Sequence, residues 1–257
     1  MVASIIRKDD SGSGLIYPGS KGGSGVYQTI INTIPPHDIY IETHIGGGAI
    51  MRHKRPAPSG NIGIDIDPEI IDYWRKNPPF SSGFTIKHVD AISFLKSYPF
   101  KGNEFVYCDP PYLMETRKGG PLYNFEYTRE QHIELLSCIR NIPAMVMISG
   151  YKSQLYNDTL WGGWYSKSFE AQTRQGKATE WIWFNYPPPD QLHDYSFLGD
   201  SFRDRERIKR KQKRWINKLM KMSAVERNAM LRELNEASGT HSPESESPAD
   251  ISSNIDR

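Results

Sequence analysis

Four short apolar runs in this chain each close on an acid, and each is followed by a turn or a helix-forming stretch. They are Asp38 to Glu42, Asn61 to Asp67, Phe84 to Asp90, and Glu104 to Asp109, five to seven residues apiece. Runs of that length, rich in Ile, Val, Phe and Tyr, read as buried strands rather than helices. Strand, helix and strand in alternation predict a Rossmann-like α/β fold with a mostly parallel sheet. Such sheets bind ligands at the carboxyl ends of their strands. A single acid there is usually a helix cap, whereas four in succession point to a shared acidic edge.

The fourth run constrains the fold most. Glu104-Phe105-Val106-Tyr107-Cys108 runs straight into Asp109-Pro110-Pro111-Tyr112. Neither proline can donate a ladder hydrogen bond, so the strand must stop there. The result is a stiff turn that offers one carboxylate, one aromatic ring and carbonyls with no local partner.

Two glycine-rich turns precede it. Residues 18 to 25 contain four glycines and lead into a helix-like stretch from Val26 to Ile34. A helix N-terminus suits an anionic or polar group, but no Gly-Lys-Ser/Thr closes this loop, so it is not a P-loop. The second turn, Gly46-Gly47-Gly48, joins the first strand to the next helix and lets backbone approach a ligand closely. Its spacing is not the dinucleotide fingerprint. Asp65, ending the second strand, can accept hydrogen bonds from ribose hydroxyls.

Beyond the fourth strand, Leu113 to Thr128 is a polar and aromatic loop. Thr128 is placed to cap a helix running to about Arg140. Ala144 to Ile148 is a fifth strand. Trp164 to Phe169 and Thr179 to Tyr186 then pair as a C-terminal antiparallel hairpin with Arg174 and Lys177 at its tip. That tip suits a phosphate backbone, or it is a solvated turn. Pro187 to Pro189 is expected to end the fold.

Charge is distributed unevenly. The 257 residues carry a formal net charge of only +2. Yet Arg203 to Lys221 holds ten Lys or Arg, including Arg207, Lys211 and Arg214, against Asp204 and Glu206. This basic C-terminal helix either lies along phosphates or is a solvated face. From Ala237 onward Ser, Glu, Pro and Asp dominate, as in a disordered tail. The expected organisation is a domain at 14–190, a basic helical extension at 191–236 and the tail at 237–257, after a loose terminus at 1–13. Two cysteines make no disulfide framework or metal motif, and the histidines show no metal-ligand spacing. With no signal peptide or membrane-spanning stretch, a cytoplasm, bacterial or of a phage-infected host, is the expected compartment.

Taken together, these residues resemble the Dam-type DNA adenine-N6 methyltransferase family over roughly residues 14 to 186. That family begins with aromatic-x-Gly-Gly-Lys, matched in outline by Tyr17-Pro18-Gly19-Ser20-Lys21. Its Glu-Pro-Phe-x-Gly-x-Gly motif is met by Glu42 to Gly48, with Thr43 and His44 in place of Pro-Phe. Asp-Pro-Pro-Tyr is its catalytic motif. The resemblance implies a Rossmann-like S-adenosylmethionine-dependent methyltransferase fold and S-adenosylmethionine as cofactor. It implies cofactor contacts from Tyr17, Lys21, Glu42, Gly46, Gly48, Asp65, Asp90 and Asp109, with catalysis by Asp109, Pro110, Pro111 and Tyr112. The substrate it implies is adenine in DNA, flipped out of the duplex. Tyr123, Phe125 or Tyr127 would hold the flipped base or fill its gap; alternatively they pack against the domain.

One departure is large. Members of the family insert a target-recognition domain between the third-strand acid and the catalytic motif, whereas here only 19 positions separate Asp90 from Asp109. In this the chain looks like the compact methylases of phages and prophages. An RNA base methyltransferase would share the motif, and a nucleic-acid-binding protein on a degenerate methyltransferase fold is the reading from another class.

Overall fold

The computed structural model describes residues 7–8, 15–16, 18–173 and 176–239. Seven strands form one sheet: β1 Ile39–Thr43, β2 Gly60–Asp65, β3 Phe84–His88, β4 Glu104–Cys108, β5 Met145–Gly150, β6 Tyr165–Thr173 and β7 Gly176–Phe184. Their spatial order is β3-β2-β1-β4-β5-β7-β6. The first five are parallel to one another, and β7 runs antiparallel between β5 and β6. This is a Rossmann-like sheet, mostly parallel, with an antiparallel hairpin at its C-terminal end. The order turns back between β1 and β4, and a ligand crevice belongs at that switch point.

Core packing follows from the two-residue period of the strands. Tyr40, Phe105 and Tyr107 face one layer with α1 (Val26–Ile31), α2 (Ala49–His53) and α3 (Pro68–Lys76). Ile41, Val106 and Cys108 face the other, against α4 (Ala91–Ser97), α5 (Arg129–Asn141) and α6 (Gln154–Thr159). All five residues of β4 are buried, which is why its sequence reads as one continuous apolar run rather than an alternation. Phe105→Ala would remove a fully buried ring and cost about 3–5 kcal/mol.

Local signals explain the helix starts. Asp67 accepts a hydrogen bond from Glu69 N at 2.9 Å, and Pro68 takes the first helical position of α3. Thr128 and Gln131 close a reciprocal box at the start of α5. α1 ends at Ile31, three residues before the sequence pattern ends. Thr33 N and Ile34 N bond to Ile30 O and Ile31 O, so the chain tightens into i→i+3 turns.

Three expectations need correction. The fold does not end at Pro187–Pro189. His193 N donates to Ile34 O (2.9 Å), Arg55 N to Asp194 Oδ2 (2.9 Å), and Asn32 Nδ2 to Phe197 O (2.6 Å). The polar composition of this segment hides specific docking, and the first compact unit extends to Arg205. The hairpin strands are nine residues each, longer than expected. At the other end, Arg7–Lys8, within the expected loose terminus, pairs with Leu15–Ile16 in a two-residue antiparallel ladder.

The second unit begins at Glu206. It holds the rest of α7 (Phe202–Met220), and α8 (Ala224–Gly239), which starts at a Ser223–Glu226 capping pair. No residue from 206 to 237 is buried. Among the described residues no helix is long and apolar enough to cross a membrane.

Candidate active site

The carboxyl ends of β1, β2 and β4 open on one cleft. Its walls include Pro18 to Lys21, Glu42, His44 to Ala49, Asp65 to Asp67, Asp109, Pro111, Tyr123, Phe125 and Tyr127. Lys21, Glu42, Gly46, Gly48, Asp65 and Asp109, all singled out in the sequence, converge there. Tyr17 and Arg174 lie outside the described residues.

Asp109 stands at the end of β4 and is paired with Lys21. The ammonium Nζ lies 2.7 Å from both carboxylate oxygens. It is also 3.7 Å from Glu180 Oε2. Glu180 in turn accepts the Tyr112 hydroxyl at 2.8 Å. The Tyr112 ring meets Tyr151 edge-on at 4.7 Å, and the Lys21 ammonium lies 4.9 Å from its centroid. Burial alone would lower the Lys21 pKa, but Asp109 and Glu180 prevail and raise it, so the group stays charged. Burial pushes the Asp109 carboxyl up, and Lys21 opposes that push. The loop before α1 therefore contributes a cation to the Asp109–Tyr112 turn rather than an anion nest. α1 is only six residues long, and the Gly25 N–H is already taken by Gln28 Oε1 at 2.8 Å.

The Gly46–Gly48 turn wraps around Trp74. Trp74 Nε1 donates to Gly46 O at 2.9 Å, and a Cβ on Gly48, whose φ is 57°, would overlap the indole ring. Asp65 accepts from Gly46 N and Asp67 N, each at 2.9 Å, tying the ends of β1 and β2 together. Burial lifts the Asp65 carboxyl to about 6 and that of Glu42 to about 8. Glu42 Oε2 accepts from Tyr40 OH at 3.0 Å and from Met51 N at 2.9 Å. His44, at φ 68°, is held in a left-handed conformation between Thr43 Oγ1 (3.0 Å) and the Tyr127 hydroxyl (2.8 Å). Burial pushes its imidazole down to about 3, so it is neutral.

Several sequence candidates fall elsewhere. Asp90 caps α4, accepting from Ser93 N at 2.8 Å, and is not among the cleft walls. A strand-end acid that starts a helix serves the helix first. Pro110 is buried beneath the turn, and Pro111 takes the position facing the cleft. Tyr123 and Phe125 come from the 113–128 loop, which is pinned to the cleft. Asn124 Nδ2 donates to Asp67 Oδ2 at 3.0 Å, and Arg117 Nη2 to Glu126 Oε2 at 2.6 Å. The Tyr123 hydroxyl leaves no room for a Cβ at Gly19. Lys177 is exposed in β7, paired with Gln172, away from the cleft walls. Arg207, Lys211 and Arg214 are exposed in the second unit. Among the described residues no cluster of His, Cys, Asp and Glu is arranged to hold a metal.

Glu180 is the site residue that sequence reasoning missed. Its signal is a charge at a core-facing position: Glu180, Ile182 and Phe184 alternate toward the same buried layer.

No known family's sequence pattern matches the chain, and no curated protein matches it. Some solved structures are similar to part of the chain. Magnesium protoporphyrin IX methyltransferase from Synechocystis PCC 6803, with bound SAM, is 14% identical with a TM-score of 0.44, over 63% of this chain and 76% of that one. The N-methyltransferase NodS from Bradyrhizobium japonicum WM9 is 9% identical at 0.43, over 62% and 93%. A precorrin 8W decarboxylase from Methanobacterium thermoautotrophicum is 13% identical at 0.40, over 63% and 89%. Likenesses of this degree identify neither substrate nor cofactor.

Proposed function

We propose that this chain is an S-adenosylmethionine-dependent methyltransferase acting on the exocyclic N6 amine of adenine in DNA. The observation that carries the reading is the Asp109-Pro110-Pro111-Tyr112 turn, whose carboxylate enters the same cleft as Glu42, the Gly46–Gly48 turn and Asp65.

The chemistry of that cleft fits the cofactor. Its walls carry the carboxyl groups of Glu42, Asp65, Asp67 and Asp109 against the one ammonium of Lys21. An acidic cleft suits a ligand bearing a sulfonium and an ammonium, and repels the phosphates of a dinucleotide. Asp65, with each oxygen holding one backbone N–H, keeps lone pairs for sugar hydroxyls. Glu42 is positioned for the ammonium, and Gly46 to Gly48 allow close backbone approach. When bound, S-adenosylmethionine supplies an electrophilic methyl group on sulfur.

The adenine amine is a weak nucleophile because its lone pair is delocalised into the ring. Asp109, aided by the Pro110 carbonyl, accepts its hydrogens, favours a pyramidal nitrogen and stabilises the positive charge that develops there. Asp109, Glu180 and Lys21 together carry one net negative charge, the right sign for that task. Tyr112 offers its ring as the wall for the base. A base held in a duplex cannot reach such a turn, so it must be flipped. With no recognition insert, the target would be chosen by the 113–128 loop, the β6–β7 hairpin or the basic helix α7.

Transfer of a labelled methyl group to DNA and to RNA, measured side by side, tests the reading. Labelled DNA is expected. Label on RNA alone would move the assignment to an RNA base methyltransferase. Failure to bind S-adenosylmethionine at all would leave a nucleic-acid-binding protein on this fold.

A further inference from the structure

Lys21 presents the turn with a difficulty. Its ammonium sits 2.7 Å from both oxygens of Asp109, the carboxylate that must receive the substrate amine. An ammonium engaging both oxygens drains charge from the acceptor and crowds the approach of a neutral donor. Lys21 cannot simply retreat to water, because its side chain is 5% exposed. Solvent is closed to it, but the neighbouring acid is not: Glu180 Oε2 lies 3.7 Å from Nζ.

We infer that Glu180 is a positioning residue that takes the Lys21 ammonium when the target amine arrives, freeing an Asp109 oxygen to accept it. This rests on the methyl-transfer reading above. The movement required is about 1 Å, which brings Nζ from 3.7 Å to ordinary hydrogen-bond distance. Glu180 is fixed for the task. Its backbone pairs with Phe169 of β6, the adjoining Trp181 pairs with Gly150 of β5, and its Oε2 holds the Tyr112 hydroxyl at 2.8 Å. Among the described residues Asp109 and Glu180 are the two carboxylates in ion-pair contact with Lys21. Passing a cation between two carboxylates leaves the net charge of the site unchanged, so no buried charge is exposed during the step.

A double-mutant cycle with a spectroscopic arm tests this. Glu180→Gln keeps an acceptor for the Tyr112 hydroxyl but removes the charge that competes for Lys21. It is expected to lower kcat on the order of 10²-fold, a loss that a misplacement near 1 Å can produce, with S-adenosylmethionine affinity changed by less than about threefold. That retained affinity also shows that the variant is folded. In a Lys21→Met background there is no ammonium to move, so adding Glu180→Gln is expected to cost less than about threefold further. Tyr112→Phe, which removes only the hydroxyl, is expected to leave the Lys21–Glu180 coupling in place. Independently of activity, the ¹H–¹⁵N signal of the Lys21 ammonium, assigned by its loss in Lys21→Met, is expected to shift in Glu180→Gln. Additive losses in the cycle, or an unshifted ammonium signal, would overturn the inference. If the wild-type protein transfers no methyl group, the proposed function falls, and the ammonium signal still decides whether Glu180 shares Lys21.

Discussion

The cleft at the ends of β1, β2 and β4 and the basic helix α7 are both rich in charge, and they use it in opposite ways. In the cleft few charges are present, nearly all are partly or fully buried, and each has a fixed partner: Lys21 on Asp109, Glu42 on Tyr40, Asp65 on Gly46. α7 carries nine Lys or Arg from Arg203 to Lys218, of which Arg205 is buried, and no residue from 206 through 237 is buried. Buried charge is costly unless paired, so its geometry is specified and supports chemistry. Exposed charge is cheap and screened by salt, so it supports long-range attraction to phosphates without fixing a register. On the proposed function, the first region acts on a base and the second holds nucleic acid nearby.

The comparison can be broken most sharply at Asp109. Asp109→Ala removes the acceptor for the target amine and is expected to abolish methyl transfer, by about 10³-fold or more, with cofactor affinity within a few fold. A steady-state assay alongside calorimetry checks both, and wild-type-like turnover would remove the cleft from the account.

Lys21→Met comes next in size. It leaves Asp109 and Glu180 facing each other with no cation, a loss of about 3–5 kcal/mol of stability at neutral pH. Burial already pushes the Asp109 carboxyl up, and Lys21 is what opposes it. The deficit against wild type is therefore largest where Asp109 is ionised, and it shrinks as falling pH protonates it. Urea melts of both proteins at pH 7.5 and pH 5 measure it, and an equal deficit at the two would contradict the pairing.

Deleting residues 206–257 probes the other region. DNA affinity is expected to fall about tenfold or more at low salt, and the slope of log K against log[salt] to flatten by about 0.9 for each lost phosphate contact. Cofactor binding should be untouched. An unchanged slope would make α7 a solvated face.

The smallest effect belongs to Glu42. Burial raises its carboxyl to about 8, so it holds a proton at pH 7. A cationic group arriving beside it favours the carboxylate, and S-adenosylmethionine binding should release up to about one proton. Calorimetry at pH 7 in buffers of different ionisation enthalpy reads this directly. Because its folded value lies above the unfolded one, the same group favours folding below about pH 4.5, and that contribution is lost as pH climbs toward 8.

Much of the cleft was legible because its parts sit at strand ends, where short apolar runs meet acids and glycines. Asp65, Gly46 and Asp109 needed no distant information to be placed on one edge. The acids were not equivalent, however. Asp90 caps α4, and at β2 it is Asp67 that caps α3, which leaves Asp65 to face the turn. Periodicity cannot separate a cap from a ligand two residues away. Glu180 was hidden for a different reason. It reaches Lys21, 159 positions earlier, only because β7 inserts antiparallel between β5 and β6. The docking of His193, Asp194 and Phe197 was equally invisible in a segment whose composition reads as a linker.

The central claim is that the Asp109 turn and the acidic cleft together methylate adenine in DNA. Plasmid DNA incubated with the protein and S-adenosylmethionine, digested to nucleosides and analysed by mass spectrometry, tests it most directly. The account predicts N6-methyladenine with the wild-type protein and none with Asp109→Ala. DNA left unmethylated by a wild-type protein that binds S-adenosylmethionine, or methylated equally by the variant, would contradict it.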